Sequence, residues 1–168
     1  AKEAVERMWD YINDGTIDFI GSDHAPFTLE EKMQGQDDIF KAFCGFPGVD
    51  TRLPLMLDAA ANGKTTLKRV IELLCTNPAK CFNIYPQKGI LAAGADADIV
   101  IFDMNDTMTI DRTKSYSMAR EIARVYDGRE LKCKLNYTIV RGRVLMEDGV
   151  VDTEAKGYGE LVKPAEKV

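Results

Sequence analysis

A carboxylate and an imidazole stand next to each other in the run Gly21-Ser22-Asp23-His24-Ala25-Pro26-Phe27. A short apolar run, residues 17–20, comes directly before it and predicts a strand that ends where the polar pair begins. Reacting groups of α/β enzymes are concentrated at such strand ends. The pair can therefore bind a metal or transfer a proton. His24 is the only histidine among the 168 residues, so a metal bound by Asp23 needs ligands from outside this chain.

Two interpretations of Asp23 follow from its position. It can act as a metal ligand and proton carrier, or it can be a strand-end aspartate that caps the following turn. His24 could be a second metal ligand. However, neighbouring side chains on a strand point to opposite sides, so we expect His24 to pack or to support the site.

The elements around this run must hold it in place. Apolar residues at helical spacing predict a helix over residues 2–14, and the charges and glycines of residues 28–47 predict a long, partly helical loop. Three more helices are predicted: one capped by Asp50 and closed by Asn62-Gly63, one over residues 67–74, and one from Asn77-Pro78 through Phe82.

The composition changes near residue 86, where prolines and glycines interrupt the helical spacing. Beyond it, residues 97–102 predict a strand, residues 137–140 and 143–146 predict a hairpin, and residues 117–126 predict a short helix. We therefore expect an α/β part over residues 1–85, a β-rich part over 86–155, and a tail over 156–168 that is frayed at its end.

Composition excludes several classes of function. The net charge is -5, and no basic stripe is present that could neutralise a phosphate backbone, so no nucleic-acid partner is expected. The apolar runs are far shorter than the ~20 residues that cross a bilayer, so no membrane partner is expected either. The four cysteines lack paired spacing, which favours buried free thiols in a cytoplasmic protein.

Three stretches together resemble the cyclic amidohydrolases, the group that contains hydantoinases, dihydropyrimidinases, allantoinases and dihydroorotases. The run around Asp23 is similar to the signature of that family's eighth barrel strand. The stretch from Gly45 to Pro54 looks like the loop and helix start over the substrate. The stretches Thr76 to Lys80, Lys88 to Ile90 and Gly94 to Val100 resemble the passage from the barrel into a small β domain. The resemblance runs from about residue 4 to about residue 150.

The resemblance implies an α/β chain that is the C-terminal fragment of a TIM-barrel metal-dependent hydrolase, with the last strand and helices, plus a small β-sandwich domain. A complete barrel needs roughly 250 residues. It implies two divalent metal ions, usually zinc, of whose ligands only the aspartate has a match here, Asp23. It further implies a homo-oligomer, a small cyclic amide or imide as substrate, and no activity for this chain alone.

The resemblance also assigns the residues around the substrate. Asp23 would be the metal ligand and the catalytic proton shuttle, and His24 would support it. Dihydroorotases typically have histidine where this chain has Phe27, which favours a neutral ring substituent and the hydantoinase or dihydropyrimidinase type. The substrate loop would comprise Cys44, Gly45, Phe46, Pro47 and Gly48, with cysteine in place of the usual asparagine at the first position. The glycines could instead serve only as a tight turn.

Other functions stay open from sequence. Allantoinase and dihydroorotase activities are alternatives within the same group. Some relatives have lost their metal ligands and act as scaffold proteins, but such a protein has no physical need for a carboxylate at position 23.

Overall fold

The computed structural model describes residues 2–165, which form a helical half followed by a β half. The helices are α1 (Lys2–Asp14), α2 (Leu29–Met33), α3 (Val49–Ala61), α4 (Leu67–Ile71) and α5 (Asn77–Cys81), with a π-helical turn, Glu72–Thr76, between α4 and α5. The strands are β1 (Ile99–Asp103), β2 (Met108–Thr109), β3 (Glu130–Leu131), β4 (Lys134–Val140), β5 (Arg143–Glu147) and β6 (Val150–Val151). Short 3₁₀ turns lie at Ile39–Lys41, Arg112–Lys114, Arg120–Ile122 and Thr153–Ala155.

Helix α1 and the β4–β5 hairpin form where the local sequence predicts them. Helix α1 buries Ile12, and Trp9 packs against the same core. The hairpin turns at Arg141-Gly142, whose φ angles of 45° and 82° give the backbone twist that suits a two-residue turn. The main sheet is antiparallel with the order β1-β4-β5-β6, and β2 pairs with β3 in a second, two-stranded sheet.

One core joins the two halves. Its fully buried side chains are Leu57, Val70, Leu73, Leu131 and Cys133. Asp58 of α3, only 5% exposed, lies at the edge of this core and accepts hydrogen bonds from Asn62 Nδ2 (2.9 Å), Arg129 Nη2 (3.0 Å) and the backbone N–H of Lys132 (3.0 Å). A buried carboxylate is tolerated because these donors replace its water. Asp58 thereby fixes α3 to the chain that enters the main sheet.

The strand predicted over residues 17–20 was wrong. These residues are not a strand in the described part of the chain, because no neighbouring strand lies beside them there. Helical residues satisfy their backbone groups instead. Ile20 N–H donates to Leu73 O (3.2 Å), and side chains of the helical half donate to the carbonyls: Arg69 to Ile17, Asn77 to Asp18 and Arg52 to Ile20.

Two predicted helix caps were also wrong. Helix α3 starts at Val49, its cap residue is Gly48, and Asp50 lies in the first turn. The residue before α5 is already helical, so the helix continues from the π turn, and the Asn77 amide donates to Asp18 O at 2.7 Å. Only the 3₁₀ turn Arg120–Ile122 forms within the helix predicted over residues 117–126. Met118 and Val125 face solvent there, so no packing stabilises a longer helix.

Cys133 is buried, but Cys44, Cys75 and Cys81 are exposed, which contradicts the expectation of four buried thiols.

The N–H of Ala165 donates to Asn83 O (2.8 Å), so the described part of the tail is attached to the helical half. Residues 166–168 lie outside the described residues. Within residues 2–165, no helix has the length and apolar character that crossing a membrane requires.

Candidate active site

Asp23 lies at the end of the extended segment that follows α1. Its backbone has a positive φ of 43°, which L-residues other than glycine adopt rarely. The side chain is exposed, and within the described residues it makes no hydrogen bond or ion pair. Its carboxylate is therefore free to bind a ligand, and no cap of the following turn accounts for it.

The side chain of His24, the residue after Asp23, contacts the start of α3. Its Nδ1 accepts hydrogen bonds from the backbone N–H groups of Gly48 (3.2 Å) and Val49 (3.3 Å). The supporting role of His24 stays a prediction, and the observed contact is with the start of α3. The reason given for it does not hold, because alternation along a strand cannot apply where Asp23 is left-handed.

The segment after Asp23 and the glycine loop at residues 44–48 pack directly against each other. Ala25 N–H donates to Phe46 O (3.1 Å), and His24 and Phe46 form an isolated parallel bridge. Gly45 has a φ of 99°, and a Cβ at this position would lie 2.6 Å from the Cβ of Ala25. A Cβ on Gly48 would lie 2.8 Å from the carbonyl oxygen of Ser22. Both glycines are therefore required by this close approach.

Lys32 of α2 holds the other end of the glycine loop. Its ammonium donates to the carbonyl oxygens of Phe43 and Gly45, and it lies 5.4 Å from the centre of the Phe27 ring. That ring is half-buried and contacts Phe43 at a centroid distance of 5.0 Å. Lys32 was missed in the sequence because a lysine in a charged loop gives no sign of which carbonyls it will reach.

The remaining loop residues differ in exposure. Cys44 and Gly45 are exposed, whereas Pro47 and Gly48 are buried. The Phe46 ring lies 6.3 Å from the ring of Tyr126, at a groove of about 670 Å³ that is also lined by Trp9, Ser22 and Arg129. Asp23 is not among the residues that line this groove, although the preceding residue, Ser22, is.

Comparisons with known proteins connect this arrangement to a family. The model of the amidohydrolase family matches residues 1–145. The chain belongs to the amidohydrolase family. L-hydantoinase of Paenarthrobacter aurescens is 39% identical over 157 residues, which are 93% of this chain and 34% of that protein. Dihydroorotase of Methanosphaera stadtmanae is 38% identical over 135 residues, which are 80% and 30% of the two chains.

Solved structures of hydantoinases match the fold of this chain. D-hydantoinase (dihydropyrimidinase) from Thermus sp. matches with a TM-score of 0.83 and 30% identity, covering 95% of this chain and 34% of that one. L-hydantoinase (dihydropyrimidinase) from Arthrobacter aurescens matches with a TM-score of 0.75 and 38% identity, covering 88% and 32%. The chain thus spans about a third of the length of the relatives that it matches. The resemblance to hydantoinases, dihydropyrimidinases and dihydroorotases is confirmed, and so is the mixed α/β fold.

Amidohydrolases are generally metal-dependent, so we tested whether the described residues can form a metal site. No group of three or more His, Cys, Asp or Glu side chains among residues 2–165 is placed to hold a metal ion. Divalent metals in catalytic sites are typically held by at least three protein ligands. The described residues alone therefore do not fit a complete metal centre, although exposed Asp23 fits the part of one ligand.

Proposed function

We propose that this chain is the C-terminal part of a metal-dependent hydrolase that opens cyclic amides, of the hydantoinase or dihydropyrimidinase type. The observation that carries the proposal is the placement of Asp23, an exposed carboxylate directly before the segment that packs on the glycine loop. The printed names of the relatives from Paenarthrobacter aurescens and Thermus sp. support the substrate class.

In this proposal Asp23 has two roles, as one metal ligand and as the proton carrier of the reaction. Amide hydrolysis needs a proton on the departing nitrogen, because an amide anion is a very poor leaving group. The Asp23 carboxylate takes a proton from the attacking water and delivers it to that nitrogen, which is general acid–base catalysis worth ~10²–10⁴-fold. Bound metals supply an acidified water and a polarised carbonyl.

The exposed end of the glycine loop orients the substrate. Within the described part of the chain, the N–H and C=O of Cys44 and the N–H of Gly45 have no hydrogen-bond partner. A planar cyclic imide offers complementary donors and acceptors, so the peptide groups can hold it without a charged side chain. Because this contact is main chain, cysteine can replace asparagine at position 44. Buried Pro47 and Gly48 support the loop, as does Phe46, whose carbonyl is already paired with Ala25.

Phe27 contributes to the choice of substrate. The aromatic ring of Phe27 cannot neutralise a carboxylate. A charged group on the substrate ring would therefore lose its hydration without compensation. The half-buried ring of Phe27, packed on Phe43, favours a neutral or apolar substituent. This favours hydantoin and dihydrouracil over dihydroorotate.

The rest of the enzyme is proposed to come from polypeptide outside this chain. The preceding barrel strands would lie beside residues 17–20, which have no strand neighbour among residues 2–165. They would also supply the remaining ligands for two divalent metals, with zinc as the expected ion. The four-stranded sheet would form the larger share of a β-sandwich, and the homo-oligomer stays a prediction.

Dihydroorotase is the second candidate. The observation that favours it is the relative from Methanosphaera stadtmanae, which carries that name and is nearly as similar to this chain as the L-hydantoinase. The presence of phenylalanine at position 27 argues against it, since dihydroorotate carries a carboxylate.

Activity assays and metal analysis on two polypeptides test the proposal. The complete protein should hold about two metal ions per subunit and hydrolyse hydantoin or dihydrouracil faster than dihydroorotate or allantoin. The isolated 168-residue chain should hold no stoichiometric metal and show no turnover. Hydrolysis by the isolated chain at a comparable rate would refute the proposal. If the complete protein binds no metal and shows no turnover, the result would instead support a role as a scaffold protein.

A further inference from the structure

The glycine loop, residues 44–48, is held at both ends by side chains from the segment that begins directly after Asp23. At its C-terminal end, His24 accepts from the N–H groups of Gly48 and Val49. At its N-terminal end, Lys32 donates to the carbonyls of Phe43 and Gly45. Neither contact was expected from the sequence, and both involve loop backbone only.

The His24 contact replaces a missing helix cap. Helix α3 begins after Gly48, which has no side chain to accept from the first free N–H groups. The Nδ1 atom of His24 accepts from two of them, so its proton is on Nε2 and the orientation of the ring is fixed. The start of α3 is thereby tied to the residue next to Asp23.

The Lys32 contact fixes the loop where it is exposed. The ammonium has three donors and uses two of them on loop carbonyls, while the Phe27 ring lies beside it. The carbonyls of Phe43, Gly45 and Phe46 are all paired, so among the described residues the unpaired backbone groups of the loop's exposed end are those around Cys44.

We propose that His24 and Lys32 are positioning residues that hold the glycine loop in its binding conformation beside Asp23 before substrate arrives. The part of this proposal that concerns catalysis rests on the proposed function, whereas the part that concerns loop order does not. A pre-formed loop lowers the cost of ordering on binding, so its loss should appear mainly in KM.

Matched substitutions in the complete protein test the loop contacts of His24 and of Lys32 separately. His24→Asn presents an oxygen near the place of Nδ1, His24→Gln presents one near the place of Nε2, and His24→Ala presents none. Lys32→Met removes the ammonium and keeps the aliphatic chain. Lys41→Met is its control, because Lys41 lies in the same segment but makes only an exposed ion pair with Asp38.

Three readouts are measured for every variant: hydrogen exchange of peptides covering residues 43–49, KM and kcat for hydantoin, and bound metal. We expect His24→Ala, His24→Gln and Lys32→Met to exchange faster and to raise KM about tenfold, because each variant loses two hydrogen bonds to the loop backbone. Metal content and kcat should stay near wild type, and His24→Asn and Lys41→Met should resemble wild type throughout.

Unchanged exchange and KM in His24→Ala and Lys32→Met would overturn the proposal. So would equal rescue by His24→Gln and His24→Asn, since the Nδ1 position would then not matter. Loss of metal in His24→Ala would make His24 part of the metal site and would equally overturn it. If the wild-type protein hydrolyses no cyclic amide, the proposed function fails, but the exchange rates still decide whether the two residues hold the loop.

Discussion

Asp23 keeps its backbone at a φ of 43° although its exposed side chain makes no hydrogen bond or ion pair with the described residues. A left-handed conformation costs a residue other than glycine of order 1 kcal/mol, and such strain is concentrated at functional sites. The strain is therefore consistent with the proposed catalytic role of Asp23.

Replacing Asp23 should separate stability from activity. We expect Asp23→Gly to stabilise the isolated chain by about 1 kcal/mol relative to Asp23→Ala, because glycine adopts positive φ without strain. In the complete protein both variants should lose ~10²–10⁴-fold in kcat. Urea unfolding and a hydantoin assay measure the two effects. Equal stabilities would contradict the strain argument, and unchanged turnover would remove the catalytic role of Asp23.

Gly45 permits a second test at the level of single atoms. Gly45→Ala and Gly63→Ala both place an L-residue at positive φ, 99° and 72° respectively, but only at Gly45 would the new Cβ meet a neighbour, Ala25, at 2.6 Å. We expect Gly45→Ala to destabilise the chain by about 1–3 kcal/mol more than Gly63→Ala, the usual cost of overpacking. The difference between their urea midpoints measures it. Similar midpoints would show that the loop and residues 22–25 can separate at little cost.

Among the elements, α3 has the central place, since it carries the glycine loop at one end and Asp58 near the other. Asp58→Ala would remove the acceptor of the Lys132 N–H and leave the Asn62 amide only its bond to the backbone carbonyl of residue 58. We expect a loss of roughly 2–4 kcal/mol, of which little comes from half-exposed Arg129. Asp10→Ala on exposed α1 is the control and should change stability by less than about 0.5 kcal/mol. Equal effects in thermal unfolding would contradict the link between the halves.

The same elements show how far sequence reasoning extends. Helix α1 and the β4–β5 hairpin were predictable because their signals are local: apolar spacing in one, and Arg141-Gly142 at the turn in the other. The conformation of residues 17–20 was not predictable from local signals, because a strand forms only beside another strand. No strand lies beside these residues in the described part of the chain. The contacts of His24 and Lys32 were hidden for a related reason. They depend on the path by which residues 28–47 return to the segment after Asp23, and no periodicity in the sequence encodes that path.

At the scale of the whole molecule, the helical half of the chain exposes several large apolar side chains. Phe40 is 96% exposed, Ile39 74% and Val5 57%. Large apolar side chains that are exposed to this degree are typical of surface that another polypeptide covers. Because the chain spans about a third of its relatives, we expect the remaining polypeptide to cover part of this surface.

A polarity-sensitive dye tests that expectation. The isolated chain should bind more of the dye per mole than the complete protein. Phe40→Ser should reduce dye binding to the isolated chain without lowering its unfolding midpoint, because so exposed a ring contributes little packing. Met118→Ser, at an 85% exposed position in the β half, serves as the comparison. Equal dye binding by the isolated chain and the complete protein would argue against a covered surface.

The contact between the imidazole of His24 and the start of α3 gives this polypeptide a built-in reporter. As the sole histidine, it contributes one pair of aromatic ring C–H resonances and one pair of ring nitrogens to a magnetic resonance spectrum. Those signals need no assignment by mutagenesis and arise at the junction between loop and helix. Formation of that junction during refolding can therefore be followed in real time, without a label, by observing a single side chain.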